Sequence, residues 1–383
     1  VIIGIDVSSV PYGTGVSNYT SNLIRNLLTI DKKNHYKIFY SSLRQPLPAE
    51  IQELSHYQNV SIHRFFIPPT LLSYLWNDLH ILPIELFIGK CDVFHTWDWT
   101  QPPTIKAKAI TTVHDFVPFL FPEDQHPRTI STFKKKLAHA VRECAHFICV
   151  SESTKKDLVR IFPSIETSKI SVVYEAAEKK FDQFHRLKPA DRQQKIDKIH
   201  KLYGLSNFIL TQGTREPRKN LSRLIRAFTA FKKSHPDSKV ELAISGKYGW
   251  GADVTPPKDN SVKILGYIPE KDLVALHASA LCLAYPSTYE GFGLPIIKSM
   301  KVGTPVITSN LSSLAEVAGN AAILVNPTST KELTEAITNI VTKPSLRRTL
   351  VNRGYRQSAK FSWTKAAQET LKIYENLIFH QNN

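Results

Sequence analysis

The chain has 383 residues, 42% hydrophobic and 21% charged, with a formal net charge of +16 at pH 7 and a pI near 9.5. This is ordinary globular material, too long for one core and long enough for two domains with separate cores. The charge favours polyanionic partners such as nucleic acid, anionic lipid or phosphorylated ligands, the plain alternative being lysines scattered over solvated helix faces.

Cys91, Cys144, Cys149 and Cys282 lie in apolar, strand-like segments without the CxxC spacing of a zinc site. Buried free thiols in a reducing compartment are therefore expected, and with them a cytoplasmic location. No apolar run reaches the ~18 residues of a spanning helix, and no signal peptide opens the chain. Val1 comes first and Met300 is the only methionine, which reads as a trimmed start.

Residues 1–6 form an apolar run bounded by turn residues, as a buried parallel strand would. Gly13 and Gly15 mark a turn, after which Val16, Tyr19, Leu23, Leu27 and Ile30 recur at helical spacing. Strand, glycine loop and helix suit a phosphate, with a simple tight turn as the alternative. The third glycine of the dinucleotide fingerprint is missing, which argues against NAD. Strands at 35–40, 60–67, 91–96, 109–114 and 146–150 alternate with helical patterns and predict a parallel sheet covered on both faces. His95, His114 with Asp115, and Ser151 with Glu152 fall at three strand ends, where such sheets bind ligands. Two stretches admit two readings each, a surface helix with one buried stripe or an element lying on an anionic membrane. They are residues 71–88, rich in leucine around Trp76 and Pro83, and residues 133–142, with Lys134, Lys135, Lys136 and Arg142.

Residues 176–207 turn charged and helix-permissive around Pro189 and read as a connection between domains. Strands at 208–213, 240–246, 262–266, 281–285, 304–308 and 321–325 then repeat the first architecture. After the first of them comes GTREPRKN, where Gly213 and the cations Arg215, Arg218 and Lys219 spell either a diphosphate clamp or a solvated basic loop. Residues 285–306 read as a strand end, a loop with Gly291 and Gly293 around Phe292 and Glu290 at its bend, and a short helix. Pro295 suits the first helical position and Gly303 the residue past the end. The start of that helix is a candidate phosphate site. Lys298 is expected in its first turn or so, where a cation opposes the macrodipole. Residues 361–379 carry Trp363, Ala366, Leu371, Tyr374 and Leu377 and read as an amphipathic helix.

These segments resemble the retaining glycosyltransferases of family 4 over essentially the whole chain. The resemblance is carried by GIDVSS, PYGTGVSNYT, DVFHTWD, TTVHDFVPFLFP and CVSESTKKDL, and most specifically by GTREPRKN, LGYIPEKDL, YPSTYEGFGLPIIKSM and GTPVITSNLSSLAEVAGNAA. The most similar members move mannose or related hexoses in cell-surface polysaccharide assembly. The resemblance implies an α/β fold of the GT-B type, two Rossmann-like doubly wound domains facing a central cleft. Residues 1–176 form the acceptor side, joined by a C-terminal helix over 362–383; 177–206 connect; 207–361 form the nucleotide-sugar donor side. It further implies transfer of a hexose from a nucleotide diphosphate sugar to a lipid-linked or surface glycan, with retention and with neither a metal nor a cofactor beyond the donor. Peripheral attachment to the inner face of the membrane goes with such an acceptor.

Site residues follow from the same resemblance. His114 points at the donor sugar and Glu290 lies against its hydroxyls. Arg218 and Lys219 hold the diphosphate, with Arg215 joining them, and Gly293 and Leu294 offer backbone N–H groups beside Phe292. Tyr267 and Ile268 border the base, and Gly13 and Gly15 lie beneath the donor. His95, Asp115 and Ser151 fall to the acceptor side. Lys298 departs from the pattern, because members usually carry a second Glu there that bonds the ribose hydroxyls. Lysine has three donors and no acceptor and cannot replace it. That leaves a ribose held otherwise, a different donor, or a catalytically silent nucleotide-sugar-binding protein. No nucleic-acid partner is expected, since no recognition motif or aromatic-basic interleaving appears.

Overall fold

The computed structural model describes residues 1–97, 99–249, 251 and 253–379. Asp98, which closes DVFHTWD, and residues 380–383 of the expected C-terminal helix lie outside the described residues. The chain divides into two units, Val1–Glu175 joined by the chain from Ser362, and Ala176–Phe361.

In the first unit, strands β1 (Ile2–Asp6), β2 (His35–Ser41), β3 (Val60–Phe65), β4 (Val93–Trp97), β5 (Lys108–Val113), β6 (His146–Cys149) and β7 (Ile170–Val172) form one parallel sheet in the order β3-β2-β1-β4-β5-β6-β7. β7 was not anticipated, because three residues are too few to show a period. The central strands read as unbroken apolar runs because both of their faces are covered. Ile3, Ile5, Ile38, Phe94, Ile110 and Ile148 are wholly buried. Gly4 has a steric task, for a Cβ there would lie 2.5 Å from the Phe94 ring. The helix Gly15–Ile30 opens with a Thr14–Ser17 capping box. Against it packs the final helix, Trp363–Phe379, which turns Trp363, Ala366, Ala367, Thr370, Ile373 and Tyr374 inward at helical spacing.

In the second unit, β8 (Phe208–Gln212), β9 (Glu241–Ser245), β10 (Val262–Gly266), β11 (Cys282–Tyr285), β12 (Val306–Ser309) and β13 (Ile323–Val325) form a parallel sheet ordered β10-β9-β8-β11-β12-β13. The charged stretch read as a connection is part of this unit. It forms helices Lys179–Phe184 and Pro189–Tyr203, which bury Phe181, Phe184 and Ile199, and Pro189 opens the second helix. Strand order reverses between β1 and β4 in one sheet and between β8 and β11 in the other, the places where open α/β sheets form ligand crevices. All four cysteines are free and buried. Burial pushes the Cys91 and Cys144 thiols up to about 12, so both stay protonated and inert.

Candidate active site

The segments after β8 and β11 meet at the reversal of the second sheet. The chain leaves β8 through Gly213, makes a short turn at Pro217–Lys219, and brings Lys219 back under the strand end. Gly213 has φ 146°, and a Cβ on it would sit 3.4 Å from the Lys219 side chain. At the end of β9, Gly246 has φ 136°, and a Cβ there would fall 1.8 Å from the Gly213 carbonyl. Only glycine admits that contact. Asn220 takes φ 59°, as asparagine tolerates, and its amide reaches the carbonyls of Pro286 (3.1 Å) and Pro327 (2.7 Å). The Thr288 N–H donates to the Arg218 carbonyl at 2.8 Å, so the two loops are laced together.

Their side chains converge on Glu290. Its Oε1 accepts from Lys219 Nζ (2.6 Å) and from the Tyr285 hydroxyl (2.7 Å), and its Oε2 from Arg218 (2.8 Å). Arg218 also pairs with Glu216 at 2.6 Å and donates to the Tyr289 carbonyl. Burial acts to raise the Glu290 carboxyl, but Arg218 and Lys219 outweigh it and hold the group at about 2. Burial, together with the Arg218 charge, pushes the Lys219 ammonium below its ordinary value, and Glu290 and Glu216 counter it. A carboxylate this acidic is a poor general base. It is suited to accept hydrogen bonds and to fix the two cations.

The backbone of Glu290 is clamped as well. Its N–H donates to Ser312 Oγ (3.0 Å), and its carbonyl accepts from Ser312 Oγ (2.5 Å) and Ser313 Oγ (2.9 Å). Sequence reasoning quoted these serines within a motif but gave them no role, and it likewise passed over Tyr285, Glu216, Gly246 and Glu175. For the serines the signal was two adjacent hydroxyls shortly after a buried strand. Gly293 takes φ 105° as the residue before the helix Leu294–Lys301, and Leu314 stands 2.7 Å from where its Cβ would be. Pro295 is the second helical residue, one place later than expected.

Several expected donor residues sit differently. Phe292 is core, buried edge-on against Phe361 at 5.7 Å. Arg215 leaves the cluster: it makes a bidentate pair with Asp253 (2.9 and 3.0 Å) and donates to the Gly246 carbonyl at 3.2 Å. Tyr267 is exposed with Lys247 4.7 Å over its ring, and Ile268 is buried. Lys298 lies in the last turn of its eight-residue helix, where a cation complements the macrodipole, so the expected conflict does not exist. It is 6% exposed, pairs with Glu178 at 2.9 Å, and stands 5.4 Å over the Phe181 ring. The partner comes from 120 residues earlier in the chain, beyond the reach of local pattern.

In the first unit His114 follows β5, with Nδ1 3.0 Å from Glu175 Oε1 and the Tyr19 ring edge-on at 4.6 Å. The three expected acceptor-side residues are each hydrogen-bonded within the first unit. His95 is 0% exposed, its Nδ1 2.6 Å from the Tyr374 hydroxyl of the final helix and its Nε2 2.8 Å from Thr112 Oγ1. Burial, with Lys136 and His114 nearby, pushes His95 down to about 3, so it stays neutral. Ser151 is buried and caps the helix Glu152–Ile161 by accepting from the Thr154 N–H. Asp115 accepts the Val117 N–H at 2.9 Å. Gly13 has φ 62° at the end of its turn, and nothing lies within 4 Å of where a Cβ on Gly13 or Gly15 would be.

Among the described residues, His80, His139 and Glu143 form one group whose ligand atoms all lie within 4.8 Å. The two imidazoles stack face to face, 3.7 Å between centroids and 4° between planes. Their in-plane lone pairs therefore run parallel instead of converging on an ion, and Glu143 pairs with His80 at 2.6 Å.

Residues 13–178 match the model of Glycosyltransferase Family 4, and residues 192–357 that of Glycosyl transferases group 1. The chain is 26% identical to O-antigen chain mannosyltransferase B of Escherichia coli, over 95% of this chain and 96% of the relative. It is 30% identical to O-antigen chain mannosyltransferase RfbU of Salmonella typhimurium over 66% and 65%, respectively. Among solved structures, it superposes on WaaG, a glycosyltransferase involved in lipopolysaccharide biosynthesis, with a TM-score of 0.70 at 13% identity, covering 98% of this chain and 99% of the other. It superposes on the sucrose-phosphate synthase of Thermosynechococcus elongatus with 0.72 at 18% identity and the same coverage. The chain belongs to the glycosyltransferases, a family 4 domain followed by a group 1 domain in the two Rossmann-like units of the GT-B fold.

Proposed function

We propose that this glycosyltransferase moves a hexose, mannose-like, from a nucleotide diphosphate sugar to a lipid-linked or surface glycan, retaining the anomeric configuration and using no divalent ion. The mannose reading draws on the mannosyltransferases to which the chain is similar. The observation that carries the donor reading is the cluster of Arg218, Lys219, Tyr285 and Glu290 at the β8/β11 reversal, beside the start of the helix Leu294–Lys301. Lys219 engages two of its three donors in that cluster. Charge developing on the leaving diphosphate is met by these cations and by the helix start, so the cations do what a metal otherwise does. Glu290 accepts from sugar hydroxyls, and His114, braced by Glu175, is the first unit's candidate for a sugar contact. Neither is a nucleophile. Glu290 is tied by three donors, and reaction on one face of the sugar needs no covalent intermediate.

Among the described residues no helix is long and apolar enough to cross a membrane. Action on a lipid-linked acceptor then calls for peripheral attachment at the inner membrane face. The test is transfer from a panel of nucleotide diphosphate hexoses to a lipid-linked glycan, with product stereochemistry read by NMR and chelator present throughout. An α-linked product from an α-donor supports the reading. A β-linked product, or loss of turnover on chelation, overturns retention or metal independence in turn, and nucleotide binding without turnover would make the chain a silent binder.

A further inference from the structure

Glu290 is held from two sides, and only one of them is charged. Arg218, Lys219 and Tyr285 fix its carboxylate. Its peptide groups are fixed by a different strand end, the segment that leaves β12. Three consecutive residues there meet three residues of the 290–293 loop. Ser312 Oγ accepts from the Glu290 N–H at 3.0 Å and donates to the Glu290 carbonyl at 2.5 Å. Ser313 Oγ lies 2.9 Å from the carbonyls of both Glu290 and Phe292. Leu314 stands 2.7 Å from where a Cβ on Gly293 would be. Residues 312–314 thus mould the loop between the Glu290 carboxylate and the helix that starts at Leu294. The mould is anchored in turn, because the Leu311 N–H donates to Ser309 Oγ (3.1 Å) and the Asn310 N–H to the Val325 carbonyl (2.9 Å).

Holding this contact strains the backbone. Ser312 has φ 57° and is one of five non-glycine residues with positive φ among the described residues. Asparagine and histidine tolerate that region better than serine does. Ser312 is also the first residue of the helix Ser312–Ala318, a position that ordinarily takes a helical φ, so the helix start does not call for the outlier. Such conformations persist where the surroundings over-determine them, and they gather at functional sites.

The hydrophilic end of the side chain explains why serine stands there. A hydroxyl has one proton to give and lone pairs to receive, and Ser312 spends both on the two peptide groups of one residue. Glycine would adopt the φ freely and lose the hydroxyl. Threonine would keep the hydroxyl, but its branched Cβ resists a positive φ.

We propose that Ser312 is a positioning residue of the donor site: it grips the Glu290 peptide and so sets the spacing between the carboxylate that meets the sugar hydroxyls and the helix start that meets the diphosphate. The inference rests on the donor reading above. The experiment is calorimetric titration of the full chain, comparing GDP-mannose with GDP and UDP-glucose with UDP, so that the ratio of the two affinities isolates what the hexose adds. For the pair that wild type binds, Glu290→Gln should lower this ratio about tenfold or more. Ser312→Gly should lower it about fivefold or more, while affinity for the bare nucleoside diphosphate and the melting temperature stay close to wild type. In the Glu290→Gln background the same substitution should cost less than about twofold, because Ser312 acts through Glu290. Ser313→Ala, at a residue without the strained φ, should show the same coupling to Glu290 and supplies the cycle if Ser312→Gly does not fold. A wild-type ratio in Ser312→Gly, an equal loss of both ligands, or losses that add to that of Glu290→Gln would overturn this inference alone. Wild type binding neither GDP nor UDP, or Glu290→Gln with the wild-type ratio, would overturn the donor reading and this inference with it.

Discussion

The strand ends of the two units carry polar residues of the same kinds and differ in where those residues send their hydrogen bonds. In the second unit Arg218, Lys219, Tyr285 and Glu290 turn toward each other and form a charged cluster at the sheet's reversal. In the first, His95 sends both ring nitrogens into the framework, Ser151 caps a helix and Asp115 caps a turn, leaving the His114–Glu175 pair. Residue type at a strand end is therefore a weak guide to chemistry. The partners differ: the charged groups of the second unit's cluster meet one another, whereas these polar groups of the first unit are bonded to backbone or to buried hydroxyls.

The comparison is tested most severely at Lys298, a cation expected at the donor and found in a buried pair. Lys298→Glu would set two carboxylates together at Glu178, and we expect a loss of about 3–5 kcal/mol in urea unfolding, partly recovered by adding Glu178→Lys. An unchanged midpoint would mean that the pair carries no weight. At the cluster, Glu290→Gln keeps volume and removes the charge that fixes both cations. Transfer should slow on the order of 10²–10³-fold, ~2.7–4 kcal/mol of barrier, and a rate near that of wild type would dissolve the site. In the first unit, Tyr374→Phe leaves His95 Nδ1 buried without its partner. Stability should drop by ~1–3 kcal/mol with KM for the acceptor unchanged, and a raised KM would return His95 to the acceptor side.

Stability is also expected to depend on pH. His95 and His277 are each pushed by burial from an ordinary 6.5 to about 3. Both stay neutral when folded and take up a proton on unfolding. Their contribution is complete above about pH 6.5 and is lost as pH falls toward 3, at ~1.4 kcal/mol per pH unit for each histidine. His95→Gln should flatten the melting curve's dependence over that window, and an unchanged slope would count against the buried neutral imidazole.

Much of this fold was legible in the sequence, because strands buried on both faces write themselves as apolar runs and the intervening helices as 3.6-residue periods. What was missed was short or distant. β7 has three residues, and the helices of 177–206 carry so much charge that their few buried positions, Phe181, Phe184 and Ile199, did not stand out. In the cluster, Gly213, Arg218 and Lys219 were singled out because a glycine turn and cations crowd one loop, and Glu290 because of the resemblance carried by its own loop. Tyr285, Ser312 and Ser313 were not, since a hydroxyl carries no charge pattern and its role appears only when two loops meet. Phe292 was placed beside the donor with the segment that carries the resemblance, and in the structure it is buried against Phe361.

We propose that Lys219, and not Arg215, holds the donor diphosphate. Calorimetric titration of a nucleoside diphosphate into wild type, Lys219→Met and Arg215→Met tests it directly, with melting curves showing that each variant is folded. We expect at least about a tenfold loss of affinity for Lys219→Met, the ~1.5–3 kcal/mol of a charge-assisted hydrogen bond, and little change for Arg215→Met. Affinity kept in Lys219→Met and lost in Arg215→Met would contradict it.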